Sequence, residues 1–182
     1  MKMFVDRLSL PTELPVDLTA VKQHLRVDGS DQDQAITTMA HTAALDVMGF
    51  AGIALLTQTI RVVVLDPSPA SYFVLPIGPV LDGEVPTVAV DGSPVTRFTL
   101  LPGHIPTIIW DDDVAADRLT RLEITYQAGF GSSPSDIPHD LAQAIMDQTA
   151  LHYDGRSPMS QRELTMSPHM TRVAARYRGL RL

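Results

Sequence analysis

Residues 16–43 read VDLTAVKQHLRVDGSDQDQAITTMAHTA, and they crowd Asp28, Asp31, Gln32, Asp33 and Gln34 between two apolar patterns. That crowded stretch is either a metal loop or the join between two helices. The first pattern is Leu18, Val21 and Leu25, spaced i, i+3, i+7, with Asp17 placed to cap it. The second is Ile36, Met39, Ala40, Ala43, Val47 and Phe50, one helical face kept for four turns and stopped by Gly49 and Gly52. Ser30 with Asp33 three residues on has the spacing of a capping box, and acids suit the positive end of a helix dipole. A calcium loop needs glycine at its sixth position and glutamate at its twelfth. Counted from Asp28 those positions hold Asp33 and Met39; counted from Asp31 they hold Ile36 and Thr42. Both registers fail, so the stretch reads as a join.

Beyond it the period changes. TQTIRVVVL (57–65) is β-branched and strand-like, and residues 66–106 hold most of the prolines, which cut the segment into short pieces. VAVDGSPVTRFTLL (88–101) reads as a hairpin turning at Asp91-Gly92, with Val88–Val90 facing Val95–Leu101. IPTIIW (105–110) is a further strand. In RLTRLEITYQAGFG (118–131), Leu122, Ile124 and Tyr126 alternate with Arg121, Glu123 and Thr125. Helix resumes near Pro138, with Ile137, Leu141, Ala144, Ile145, Gln148 and Leu151 or His152 on its inner face, and Gly155–Pro158 breaks it. A short last helix over about 168–177 has a thin apolar face whose order depends on a partner.

This order predicts an α+β fold, a helical bundle of two N-terminal helices (about 17–25 and 31–50) plus one long C-terminal helix (137–154). A small antiparallel β region (57–127) is inserted, and an extended C-terminal tail follows. Residues 1–156 are expected as one domain and 157–182 as an Arg-rich tail.

The 182 residues suffice for a proper core, and no run reaches the roughly 18 apolar residues of a membrane span. The N-terminal MKMFVD has an acid where a signal peptide needs its apolar stretch, which predicts cytosolic synthesis. The absence of cysteine excludes disulfides and zinc sites built on sulfur. Net charge is −7, unevenly spread: residues 1–154 carry eight Lys/Arg against twenty Asp/Glu, and residues 155–182 carry six arginines against Glu163 alone. An acidic body with a basic end points to a charged partner for that end.

Motifs for chemistry are thin. Asp111–Asp113 with Asp117 could hold Mg²⁺ or act as acid and base, yet no glycine-rich phosphate loop accompanies them, and a solvated loop explains them. The six histidines show no metal-helix spacing, and GFGSSPS (129–135) is not a serine-nucleophile elbow. One tryptophan on an acidic body offers no stacking platform for nucleic acid. No catalytic residue, cofactor or metal is expected.

The order of these parts resembles the head–tail connector (adaptor) proteins of tailed bacteriophages. In that family a short helix ending in HLRVD, a polar turn and a longer helix precede a TQT strand, as His24–Asp28 and Thr57–Thr59 do here. ITYQAGFG (124–131) followed by IPHDLAQAIMDQTALHYDGR (137–156), and the ending ARYRGLRL (175–182), are similar to the later family motifs. The resemblance implies a structural, non-enzymatic ring, usually of twelve copies, assembled in the bacterial cytoplasm. It would sit at the neck of a phage or gene transfer agent particle, joining the portal protein to the next neck or tail component (stopper or tail terminator). DNA would pass through without sequence-specific binding. Arg172, Arg176, Tyr177, Arg178 and Arg181 are the expected portal contacts. Two other readings compete: a non-enzymatic ligand- or carbohydrate-binding module using the proline-divided β region, and a hydrolase using Asp111–Asp113 with a distant histidine.

Overall fold

The computed structural model describes residues 1–67, 70–111, 120–155 and 166–179. The chain divides into two units, one of residues 1–11 and 57–130, the other of 12–56 and 131–182.

Strict alternation makes the centre of the first unit. Strands β2 (Gln58–Leu65) and β8 (Arg121–Ala128) pair antiparallel along their whole length, Ile60 opposite Tyr126, Val62 opposite Ile124 and Val64 opposite Leu122. With a side-chain period of two, these residues share one face, and all are buried. β1 (Lys2–Arg7) adds to the free side of β2. β4 (Thr87–Val90) and β5 (Ser93–Val95) add to β8, so the five-stranded order is β1-β2-β8-β4-β5. Between β4 and β5, Asp91 and Gly92 both take positive φ (50° and 85°), the backbone of a two-residue hairpin turn. The Asp91 carboxylate accepts from the Arg121 N–H at 2.7 Å and so ties the turn to β8. A second sheet, β3-β7-β6, consists of β3 (Tyr72–Val74), β7 (Thr107–Trp110) and β6 (Phe98–Leu101).

In the second unit, α1 (Leu18–Leu25) is capped by Asp17, whose carboxylate accepts from the Ala20 N–H. The left-handed Arg26 ends it. α2 (Asp33–Ala51) stops at Gly52, also left-handed. A 3₁₀ turn (Pro134–Asp136) leads to α3 (His139–Asp154), and α4 (Pro168–Tyr177) follows. α2 packs on α1, α3 and α4, and α3 also touches α1 and α4. Ala40, Ala43 and Ala44 on α2 and Ala144 on α3 keep the helix axes close, while Val21, Ile36, Val47, Leu141 and Ile145 fill the core.

The expected fold, a helical bundle of three helices with a small inserted β region and an extended tail, is overturned. Among the described residues there are four helices and eight strands in two antiparallel sheets, about 35% helix and 29% strand. Strand is nearly as abundant as helix. The sequence hid this because β3 and β5 span three residues each, and β1 lies at an edge where alternation between buried and exposed positions is weak. Two local expectations also change. Phe98–Leu101 leaves the hairpin and joins the second sheet, so only Val88–Val90 and Ser93–Val95 pair. Ser30 does not cap α2: Gln32 is its N-cap without a side-chain bond, and Asp33 instead meets Lys22 Nζ at 2.6 Å.

Candidate functional site

Of the arginines expected to dock a partner, Arg172 and Arg176 lie on α4 and Arg178 just after it, and the packing of α4 decides which are available. Pro168 sits in the first turn, where its missing N–H leaves no intrahelical gap, and Ser167 caps the helix. Met170, Val173 and Ala174, at i, i+3, i+4, are buried against the other helices of the unit. That narrow stripe is supplemented by polar contacts. Gln148, buried on α3, accepts from the Ser167 N–H at 2.8 Å and donates to Asp46 of α2 at 3.2 Å. His169 Nδ1 meets Asp147 of α3 at 2.5 Å, and the other oxygen of Asp147 lies 3.1 Å from His24 Nε2 of α1. His152 Nε2 lies 3.0 Å from Asp46. Two aspartates therefore knit four helices through three histidines.

At the C-terminal end of α4, Asp140 on the first turn of α3 receives two donors. Arg176 donates to one carboxylate oxygen at 2.9 Å and the Tyr177 hydroxyl to the other at 2.8 Å. Partial burial, then the bond to Asp140, pushes the Tyr177 phenol up to about 12. Arg178 stands over the Phe50 ring at the end of α2, 5.7 Å from its centroid. Arg172 is exposed and has no ion-pair partner among the described residues. Arg181 lies outside the described residues. The structure thus gathers Arg176, Tyr177 and Arg178 near one helix end with their own intrachain contacts, and among the described residues none pairs with Arg172.

The other candidates are separated. The acidic turn borders an open cavity of about 390 Å³ lined by Thr19, Lys22, Gln23, Arg26, Val27, Asp28 and Gly29, and no metal-holding cluster occurs among the described residues. Asp111 is exposed, 4.0 Å from Arg97, while Asp112, Asp113 and Asp117 lie outside the described residues. His139 and His152 both lie on α3, and His152 serves the network just described. The bridging of His24 to His169 through Asp147 had no signature in the sequence, because its members are remote in the chain.

With this arrangement in view, the backbone can be compared with solved structures. This fold is shared with a gene transfer agent particle. A chain in the virion of a native gene transfer agent particle is similar with a TM-score of 0.77 and 24% identity, over 98% of this chain and 96% of that one. A chain in the neck of an empty particle, computed with C6 symmetry, gives 0.76 and 23% over 98% and 97%. A chain in the neck of a native particle, computed with C12 symmetry, gives 0.69 and 24% over 98% and 97%. At these identities the likeness concerns the fold. No protein-family profile matches the chain, and no curated protein matches it. Among the described residues no helix is long and apolar enough to cross a membrane.

Proposed function

We propose that this chain is a structural component of the neck of a phage-like particle, acting as a head–tail connector. It forms a ring that joins the portal to the next neck or tail component and leaves a passage for DNA. The observation that carries the reading is the near end-to-end likeness to chains of gene transfer agent particles, two of them from necks computed with C6 and C12 symmetry. The charge distribution supports it. An acidic wall around a channel repels the DNA backbone and keeps it from sticking. The arginine-rich end supplies donors for carboxylates on a protein partner.

Within this reading α4 and the residues after it face the portal, and Arg172 is the leading contact, with Arg176, Tyr177, Arg178 and Arg181 beside it. Arg176 already shares Asp140, so a partner carboxylate must compete for it. Among the described residues no carboxylate competes for Arg172. Deleting the C-terminal segment is a poor test, because Met170, Val173 and Ala174 would be stripped from the helical core. Surface substitutions are cleaner. Arg172→Glu is expected to reduce co-sedimentation with portal-bearing particles at least tenfold without changing the melting temperature, and Arg176→Gln is expected to do less. Undiminished attachment of Arg172→Glu combined with Arg178→Glu sinks the portal role of this surface. Electron microscopy of particles assembled with and without the chain tests the neck assignment itself, which predicts a missing ring of density below the portal.

A further inference from the structure

The second sheet has two unlike faces. One carries Phe73, Phe98, Leu100, Ile108 and Trp110, all buried or half-buried, with Phe98 edge-on to Trp110 at 6.2 Å. The register of β3, β7 and β6 places Tyr72, Val74, Thr99, Leu101, Thr107 and Ile109 together on the other. None of these six is charged. Tyr72 is 56% exposed, Leu101 48%, Val74 42% and Ile109 39%, so the large apolar side chains of this face stand in solvent. Sheets with one solvated face normally alternate to polar side chains there, and a contiguous exposed apolar patch marks a contact surface.

We infer that this face is a seat for a second copy of the same chain, and is one side of the subunit contact in the ring; the inference rests on the ring reading above. Charge argues for that occupant. Each copy carries −7, so two copies repel, and they meet at least cost where neither places carboxylates across the contact. This face meets that condition on a chain in which most of the body is acidic. A cyclic ring also needs two unlike surfaces per subunit, one for each neighbour. The same unit supplies another: the edge strand β1, with Met1, Met3 and Phe4 exposed, its one carboxylate, Asp6, already paired with Arg61, and Leu8 and Leu10 exposed just after it. Size sets the role. Three strands of three or four residues span roughly 14 by 12 Å, well short of the about 800 Å² per partner of a stable contact. The face is therefore the dry centre, and exposed neighbours such as Ile105 and Pro102 belong to the rim.

The test compares the full-length chain with Leu101→Lys/Ile109→Lys, using Gln34→Lys on α2 as a charge control. Association is read by mass photometry, both free and on portal-bearing particles. The double variant is expected to self-associate at least tenfold more weakly while keeping the wild-type melting temperature, since both side chains already contact water. The control is expected to assemble normally. Because the chain has no cysteine, Ile109→Cys accepts a single benzophenone label, and irradiation is expected to yield a dimer-sized product joining two copies. Rings that form normally from the double variant overturn this inference and leave the ring reading standing, as does a photoproduct containing only another protein. A wild-type chain that is monomeric both free and on particles overturns both.

Discussion

Gly131 shows how one residue can be required for reasons its neighbours supply. A Cβ there would collide with the Asp136 side chain, which is held in place by accepting from the Ser133 N–H at 2.9 Å. Gly131→Ala must break that cap or displace the chain, and a loss of about 1–3 kcal/mol in a urea titration is expected. Tyr126 is a second case. Its hydroxyl donates to the Ile77 carbonyl at 3.0 Å and accepts from the Ile77 N–H at 3.3 Å, in a buried position. Tyr126→Phe leaves both backbone groups unpaired and is expected to cost about 1–3 kcal/mol. At Tyr177 the sign of the pH effect follows from the raised phenol. The folded chain holds this proton more tightly than the unfolded one, so its contribution is complete below the ordinary value of 10 and is lost as pH climbs toward about 12. Tyr177→Phe should remove a step at about pH 12 from the phenolate absorbance titration, ahead of the buried Tyr126 phenol, which burial pushes up further; loss of a step near the ordinary value of 10 instead would contradict the Asp140 contact. The sequence could not say why Gly131 was needed, because Asp136 reaches it only after the 3₁₀ turn forms.

Among the elements, those with long, regular apolar periods were legible. α1, α2, β2, β8 and α3 lie within a few residues of their expected bounds, because eight or more residues repeat one period. β1, β3 and β5 were not. Their stability comes from hydrogen bonds to a neighbouring strand, and three to six residues carry too little pattern to reveal that neighbour. α4 was placed from Pro168 to Tyr177, but its thin face suggested dependence on a partner; in the fold Met170 fills a slot in the helical core and Gln148 and Asp147 hold the first turn. Met170→Ala is expected to destabilise the chain by about 2–4 kcal/mol in chemical denaturation and to release α4 first in hydrogen exchange. A cost below about 1 kcal/mol would mean that the polar contacts alone dock this helix.

At the scale of the whole molecule, two proposed associations have opposite electrostatic signs. Copy–copy contact through an uncharged face works against the repulsion of two −7 chains. Portal docking through arginines works with attraction. Raising salt from about 0.1 M to about 1 M shortens the screening length from about 10 Å to about 3 Å. Self-association should therefore strengthen and portal attachment weaken over that range, measured by sedimentation on the same preparation. Parallel responses would show that one of the two surfaces has been misassigned.

Local periodicity depends only on neighbours along the chain, and so residues 16–65 and 121–154 declared their helices and central strands, and the charge split declared its basic end, before any fold was known. Sheet order, the N-terminal strand β1 at the sheet edge and the pairing of Asp147 with His24 and His169 join residues far apart in the chain. So does the uncharged face, which exists only once β3, β7 and β6 lie side by side and bring Tyr72, Leu101 and Ile109 to one surface. Those features arise from contacts whose cost in chain entropy is met only when the whole sheet or bundle closes, and no window of sequence contains them.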